Sequence, residues 1–226
     1  VEDLHPKFIR EHYEVKEWRH ACAILKTDFP EQWEDITTVL SGFRLKTSAI
    51  MAPGGSKSDI SKQLDGALTK RGWKEVEFNA KMIVEDETLE TRTHKIDCYK
   101  NRVGLEIEWN SKDQTFDRDL RNYRFLFDIN RLSVGVIVTR TDELQALFKE
   151  LKQGAKYGAA TTHMSKLLPR MTAGAAGGCP ILVFGISRKL YVEESREVVQ
   201  AALERYKREK SERESGRRAG GPREAR

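Results

Sequence analysis

The chain has 226 residues, is 38% hydrophobic and 33% charged, and carries a formal net charge of +5. That length suits one buried core with small appendages, and the absence of a run of about 18 apolar residues removes a membrane from the expected partners. The positive charge invites a nucleic-acid reading, but nine Lys or Arg against five Glu fall between residues 204 and 226 and leave the rest near +1, so a DNA function has to rest on a site.

In chain order, His12 to Lys26 places Val15, Trp18, Cys22 and Leu25 near a helical repeat. Pro30 interrupts it, and Gln32 to Leu40 predicts a second short helix. Ala52-Pro-Gly-Gly-Ser56 is a loop. Ser56 with Asp59 then forms a capping-box pattern before a stripe of Ile60, Leu64 and Leu68, and Gly72 stands where a helix-terminating glycine belongs. The run Gly54-Gly55-Ser56-Lys57 lacks the spacing and preceding strand of a phosphate-binding loop. Val76, Phe78, Ala80 and Met82 alternate with polar residues as in a half-buried strand, and Glu85 to Glu90 reads as an acidic connection.

Residues 93–109 predict a hairpin. Phe116 to Asn130 is a helix with Phe116, Leu120, Tyr123 and Phe127 on one side. Ser133 to Thr139 and Pro180 to Ile186 are apolar enough to be strands buried on both faces. Thr141 to Gln153 is helical, Gly154 to Thr162 a small-residue loop, Thr162 to Leu168 a short helix, and 172–179 a Gly/Ala-rich loop. Glu194 to about Lys210 is a helix that frays into a basic, disordered tail. This order predicts an α/β fold, a central mixed β-sheet flanked by helices. Trp18, Trp33 and Trp73 read as core. Three scattered cysteines, Cys22, Cys98 and Cys179, make neither a disulfide framework nor a zinc site and point to a reducing cytoplasm.

The chemistry-bearing segment is Lys95-Ile-Asp-Cys-Tyr-Lys-Asn-Arg-Val-Gly-Leu-Glu-Ile-Glu-Trp109. Val103, Leu105, Ile107 and Trp109 take one face of a strand, and Gly104, Glu106 and Glu108 the other. A two-residue turn at Asn101-Arg102 pairs Lys100 with Val103, Tyr99 with Gly104, Cys98 with Leu105 and Asp97 with Glu106. Three carboxylates then share one face. Opposed like charges are destabilising, and a hard divalent ion with oxygen ligands relieves them. An exposed strand face with alternating Glu is the plainer reading, and Gly104 tells against it as a position of close approach by a ligand or backbone. By strand alternation His94 points away from Asp97.

Asp97, then Glu106, then a polar residue at 108 resembles the hairpin of the PD-(D/E)xK nucleases. Asp97-x3-Asn-Arg-Val-x2-Glu-x-Glu-Trp, preceded by Lys70-Arg-Gly-Trp-Lys-Glu75 and followed by Pro180-Ile-Leu-Val-Phe-Gly-Ile186, resembles the BglII/BstYI-like type II restriction endonucleases over about residues 30–188. The resemblance implies a restriction-endonuclease-like fold and a Mg2+-dependent homodimer. Such an enzyme cuts double-stranded DNA at a palindrome containing GATC and is paired with a protecting DNA methyltransferase. Asp97 and Glu106 match the metal-binding acids. Glu108 stands where most of the superfamily has Lys and BglII-like enzymes have Gln, so both metal ligation and general-base action are open to it. Residues 1–190 would be the endonuclease domain, with N-terminal helices over about 1–45, and 191–226 a helix and tail. Asn110, Ser111, Lys112 and Asp113 leave the catalytic strand directly and can present base-reading groups. Thr161, Thr162 and His163 match a second recognition region of the family, and Lys100 and Arg102 are candidates for phosphate. A structure-specific repair or recombination nuclease, and a non-catalytic DNA-binding module, are the alternatives on the same scaffold.

Overall fold

The computed structural model describes residues 5–54, 57–85 and 87–219. The chain begins with α1 (Lys7–His12), β1 (Tyr13–Trp18), α2 (Ala21–Asp28), α3 (Pro30–Gly42), β2 (Leu45–Lys46), α4 (Thr47–Met51) and α5 (Asp59–Thr69). The strands β3 (Lys74–Val76), β4 (Asn79–Val84), β5 (Glu87–Arg92), β6 (Ile96–Lys100) and β7 (Val103–Ile107) follow. It closes with α6 (Thr115–Asp128), β8 (Val134–Arg140), α7 (Leu144–Glu150), α8 (Met164–Thr172), β9 (Ile181–Ile186), β10 (Tyr191–Val192) and α9 (Arg196–Ala219).

The main sheet runs β1-β9-β8-β7-β6-β3. The inner strands β7, β8 and β9 are parallel and the outer pairings antiparallel. Every residue of the parallel trio is buried, which is why β8 and β9 read as continuous apolar runs. Alternate side chains divide between two cores. Leu105, Ile107, Val136, Val138, Leu182 and Phe184 pack with α2, α3 and α5, whereas Ile137, Ile181 and Val183 pack with Phe116, Leu120 and Tyr123 of α6 and Met164 and Leu167 of α8. Glu106 leaves β7 toward the α6 side.

Two glycines let α6 approach closely. A Cβ on Gly135 would lie 2.6 Å from Tyr123 Cε2, and one on Gly104 would lie 3.3 Å from Tyr123 Cε1 and 2.9 Å from Leu132 Cδ1. The buried Tyr123 hydroxyl donates to the Val136 carbonyl at 2.8 Å. The close approach expected at Gly104 is therefore made by side chains of the core, not by a ligand.

The hairpin has the expected register, with Cys98 opposite Leu105, Tyr99 opposite Gly104 and Lys100 opposite Val103. Asn101 and Arg102 have φ of 47° and 64°, as a two-residue turn with both central residues left-handed requires. Helix α5 is capped by Ser58, whose hydroxyl accepts the Ser61 N–H at 3.0 Å; the cap expected at Ser56 lies outside the described residues.

Several expectations are corrected. The helix expected over His12 to Lys26 is α1's end, the edge strand β1 and α2. Tyr13 to Trp18 pairs antiparallel with Ile186 to Ile181 of β9, and a left-handed pair at Arg19 and His20 turns the chain into α2. The Tyr-Glu-Val-Lys alternation suits a strand, and the open edge of β9 supplies backbone partners that outweigh the helical spacing of Val15, Trp18 and Cys22. The acidic connection expected at Glu85 to Glu90 is largely β5, which pairs with β4 as a separate two-stranded sheet. Its threonines favour strand. Beyond Lys210, where fraying was expected, α9 continues to Ala219. The three cysteines are free and buried, and Trp33 and Trp73 are core residues. Among the described residues no helix is long and apolar enough to cross a membrane.

Candidate active site

The hairpin fixes Asp97 and Glu106 through backbone N–H groups of the facing strand. The Asp97 N–H donates to Glu106 Oε2 at 3.2 Å, and the Ile107 N–H donates to Asp97 Oδ2 at 3.3 Å. One oxygen of each carboxylate is committed in this way. Of the other two, Asp97 Oδ1 lies 3.6 Å from Lys57 Nζ, and Glu106 Oε1 is buried with no hydrogen-bond partner among the described residues. Glu106 is 2% exposed, and an orphaned acceptor at that depth is costly unless something is meant to fill it.

Glu108 follows β7 directly. Its N–H still donates to the Val138 carbonyl at 2.9 Å, so it keeps the strand's alternation and lies on the same side as Glu106. Its carboxylate accepts the Thr115 hydroxyl at 3.2 Å and faces Arg118 Nη2 at 3.4 Å. The Arg118 guanidinium also donates through Nε and Nη2 to Asp119 Oδ1, at 2.9 and 2.8 Å. Asp119 is fully buried, and its Oδ2 has no partner among the described residues. Four carboxyl groups thus gather where β6, β7 and α6 meet. Asp119 is the member that the sequence reading missed. Its signal was present, because it stands three residues after Phe116 and four before Tyr123, on the apolar side of the helix.

The burial has electrostatic consequences. Desolvation, then the nearby charges of Asp119 and Asp97, push Glu106 well above the usual carboxylate range. Desolvation also raises Glu108, while Ser111, Arg118 and Thr115 pull it back. Asp119 is pushed up, chiefly by desolvation and then by Glu108, despite its bond to Arg118. The cluster resists full ionisation and would be relieved by a cation. Its donors are carboxylate oxygens, the hard ligands that Mg2+ prefers, and Mg2+ characteristically takes only one or two protein carboxylates and fills its shell with phosphate oxygens and water. Among the described residues no group of three or more His, Cys, Asp or Glu is arranged to hold a metal ion. Asp97 and Glu106 fit such an ion by donor chemistry and by the orphaned Glu106 Oε1.

Asp97, Glu108 and Arg118 line a cleft of about 540 Å³ whose other walls include Lys57 and Ser58 before α5, Asn110 and Ser111 after β7, and Tyr206 and Glu209 of α9. The Tyr206 hydroxyl donates to the Asp59 carboxylate, tying α9 to the start of α5. His94 also lines the cleft, contrary to the alternation argument, because residues 93–95 are not strand. Desolvation lowers its pKa, with Arg118 adding to the effect.

The two expected recognition segments are one surface unit. The Thr162 N–H donates to the Ser111 carbonyl at 2.9 Å, the Asp113 N–H to the Ala160 carbonyl at 3.1 Å, and Lys112 bridges Thr161. Asn110 donates to the Lys156 carbonyl. Asp113 pairs with Arg170 at 3.6 Å and Lys166 at 3.9 Å. Thr161 is held by the buried Arg140, whose Nη2 donates to its hydroxyl at 2.7 Å. Thr162 is fully buried, and His163 is buried against Asp142 at 2.7 Å. Of the phosphate candidates, Lys100 is engaged by Glu31, Asp35 and the Arg71 carbonyl, and Arg102 by Asn130.

A family model described as restriction endonuclease BglII/BglIII matches residues 13–186. Among curated proteins none matches the chain.

Proposed function

The chain belongs to the BglII/BglIII restriction endonuclease family, and on that premise we propose that it is a Mg2+-dependent type II enzyme whose working acids are Asp97, Glu106 and Glu108. Family membership carries DNA binding and site-specific nuclease action. The observation that supports these residues is the bonding of Glu106 Oε2 to the Asp97 N–H and of Asp97 Oδ2 to the Ile107 N–H, which leaves Glu106 Oε1 buried and unpartnered beside the cleft residues Asp97 and Glu108.

Asp97 and Glu106 would hold a divalent ion, which when bound would supply Lewis acidity toward the scissile phosphate. Glu108 accepts the proton of the attacking water. Burial raises its pKa above the usual carboxylate value, the direction that makes a carboxylate a stronger base, and Thr115 and Arg118 fix its orientation. Water attacks phosphorus, and the leaving oxygen departs with the electrons of the broken P–O bond, so no covalent enzyme intermediate forms. Asn110, Ser111, Lys112 and Asp113, with Thr161, Thr162 and His163 behind them, make up the recognition surface. In this reading Ser111 also steadies Glu108, which couples recognition to catalysis. Thr162 and His163 are buried and act by shaping the surface. The enzyme works as a homodimer on a GATC-containing palindrome, with a methyltransferase protecting the host.

Digestion of unmethylated bacteriophage DNA with Mg2+ or EDTA, followed by sequencing of fragment ends, tests this. Discrete Mg2+-dependent fragments with a common GATC-containing end are expected. Smearing points to cutting without sequence specificity, and binding without cleavage to a non-catalytic module. Glu108→Gln separates the two roles of Glu108. An obligatory base loses about 100-fold or more in rate, whereas a position that only needs a polar oxygen keeps most of it.

A further inference from the structure

Lys57 precedes α5 and reaches across the cleft to the catalytic hairpin. Its ammonium lies 3.6 Å from Asp97 Oδ1 and 3.1 Å from Asp65 Oδ2. Asp97 Oδ2 is already taken by the Ile107 N–H, so Oδ1 is the oxygen left for a metal, and the ammonium stands on it. Asp65 is anchored separately, because its Oδ1 accepts the Cys98 thiol at 3.3 Å. Lys57 therefore has a fixed tether at one end and an exchangeable partner at the other. Its side chain is 37% exposed and lines the same cleft as Asp97, Glu108 and Arg118. No residue of the motif that carries the family resemblance lies near it in sequence.

We infer that Lys57 is a positioning residue that holds Asp97 Oδ1 in the metal-free protein, yields it to the divalent ion, and, still tethered by Asp65, then contacts a phosphate of the bound DNA. This rests on the assignment of Asp97 as a metal ligand. A cation that competes for a ligand and then serves the substrate has opposite effects on the two binding steps. Removing its charge strengthens metal binding and weakens DNA binding, and loss of a merely structural contact does not produce that pair of signs.

The test uses the full chain with Lys57→Gln, Lys57→Arg and Asp97→Asn. Mn2+ is titrated calorimetrically into DNA-free protein, and duplex binding is measured in Ca2+ over a salt series. Lys57→Gln is expected to bind Mn2+ about two- to fivefold more tightly, the range that a part-exposed ion pair supports. Its log–log salt slope for DNA should fall by about two, one phosphate contact's worth from each subunit of the dimer. Lys57→Arg should resemble wild type in both. Asp97→Asn should lose Mn2+ binding. Unchanged or weaker Mn2+ binding in Lys57→Gln, or an unchanged salt slope, overturns the role of Lys57 while leaving the site assignment standing. Unchanged Mn2+ binding in Asp97→Asn overturns the site assignment and this role with it.

Discussion

Glu106→Gln should make the metal-free protein more stable and the enzyme inactive. The substitution keeps the shape of a side chain that is 2% exposed. The glutamine oxygen can still accept the Asp97 N–H now bonded to Glu106 Oε2, but the bond loses its charge assistance, a cost of about 1 kcal/mol. The gain is removal of a buried acid with one unpartnered oxygen beside Asp119 and Asp97; at pH 8 such a group costs several kcal/mol, either as a buried charge or as a proton that the unfolded state does not bind. The net expectation is about 1–3 kcal/mol of stabilisation at pH 8, or roughly 3–10 °C in Tm for a domain of this size. The sign with pH is fixed by linkage. Because Glu106 is raised in the folded state, its contribution to stability is full below the unfolded value of about 4.3 and is lost as pH rises through the folded value. The advantage of Glu106→Gln should therefore be large at pH 8 and small at pH 5. Thermal unfolding in EDTA at both pH values measures it, and Mg2+ at pH 8 should narrow the gap by stabilising wild type alone. A variant less stable than wild type at pH 8 in EDTA, or an equal gap at both pH values, would refute the reasoning.

Three other substitutions probe the scaffold and the recognition surface. Gly135→Ala drives a methyl into Tyr123, whose ring is pinned by its bond to Val136; denaturant unfolding should show a loss of about 1–3 kcal/mol. Trp73→Phe removes the Nε1–H donated to Asp35 Oδ2 at 3.0 Å, and because Asp35 keeps Lys100 and Arg71 the loss should sit near the low end of about 1.5–3 kcal/mol in the same assay. Lys112→Ala should cost about 1–3 kcal/mol of discrimination between the cognate duplex and one carrying a single changed base pair, read as a ratio of cleavage rates, with stability unchanged.

The parts of the fold that were legible in the sequence are those where one local rule dominates. Asn101-Arg102 with apolar alternation on both sides specified the hairpin and its register, and therefore the meeting of Asp97 with Glu106. The apolar runs of β8 and β9 read as strands covered on both faces, and they are. Where two rules competed, tertiary pairing decided. Val15, Trp18 and Cys22 have helical spacing, yet Tyr13 to Trp18 is a strand because β9 offers an edge. Asp119 and Lys57 were not identified as site residues for a different reason. They reach the site from α6 and from the loop before α5; the spacing of Asp119 from Phe116 and Tyr123 signals that it is buried, but not which strand its helix covers. The burial of Thr162 and His163 is equally a matter of packing, since a polar Thr-Thr-His run looks like surface until Ser111 and Asp142 are placed against it.

The central claim is that Asp97 and Glu106 carry metal-dependent hydrolysis of duplex DNA. Its most direct test is cleavage of a cognate duplex by wild type, Asp97→Ala and Glu106→Ala with Mg2+ or EDTA, with near-ultraviolet circular dichroism to confirm folding. The account predicts that wild type cuts only with Mg2+ and that both folded variants bind DNA without cutting it. Mg2+-dependent cutting by either folded variant would contradict it.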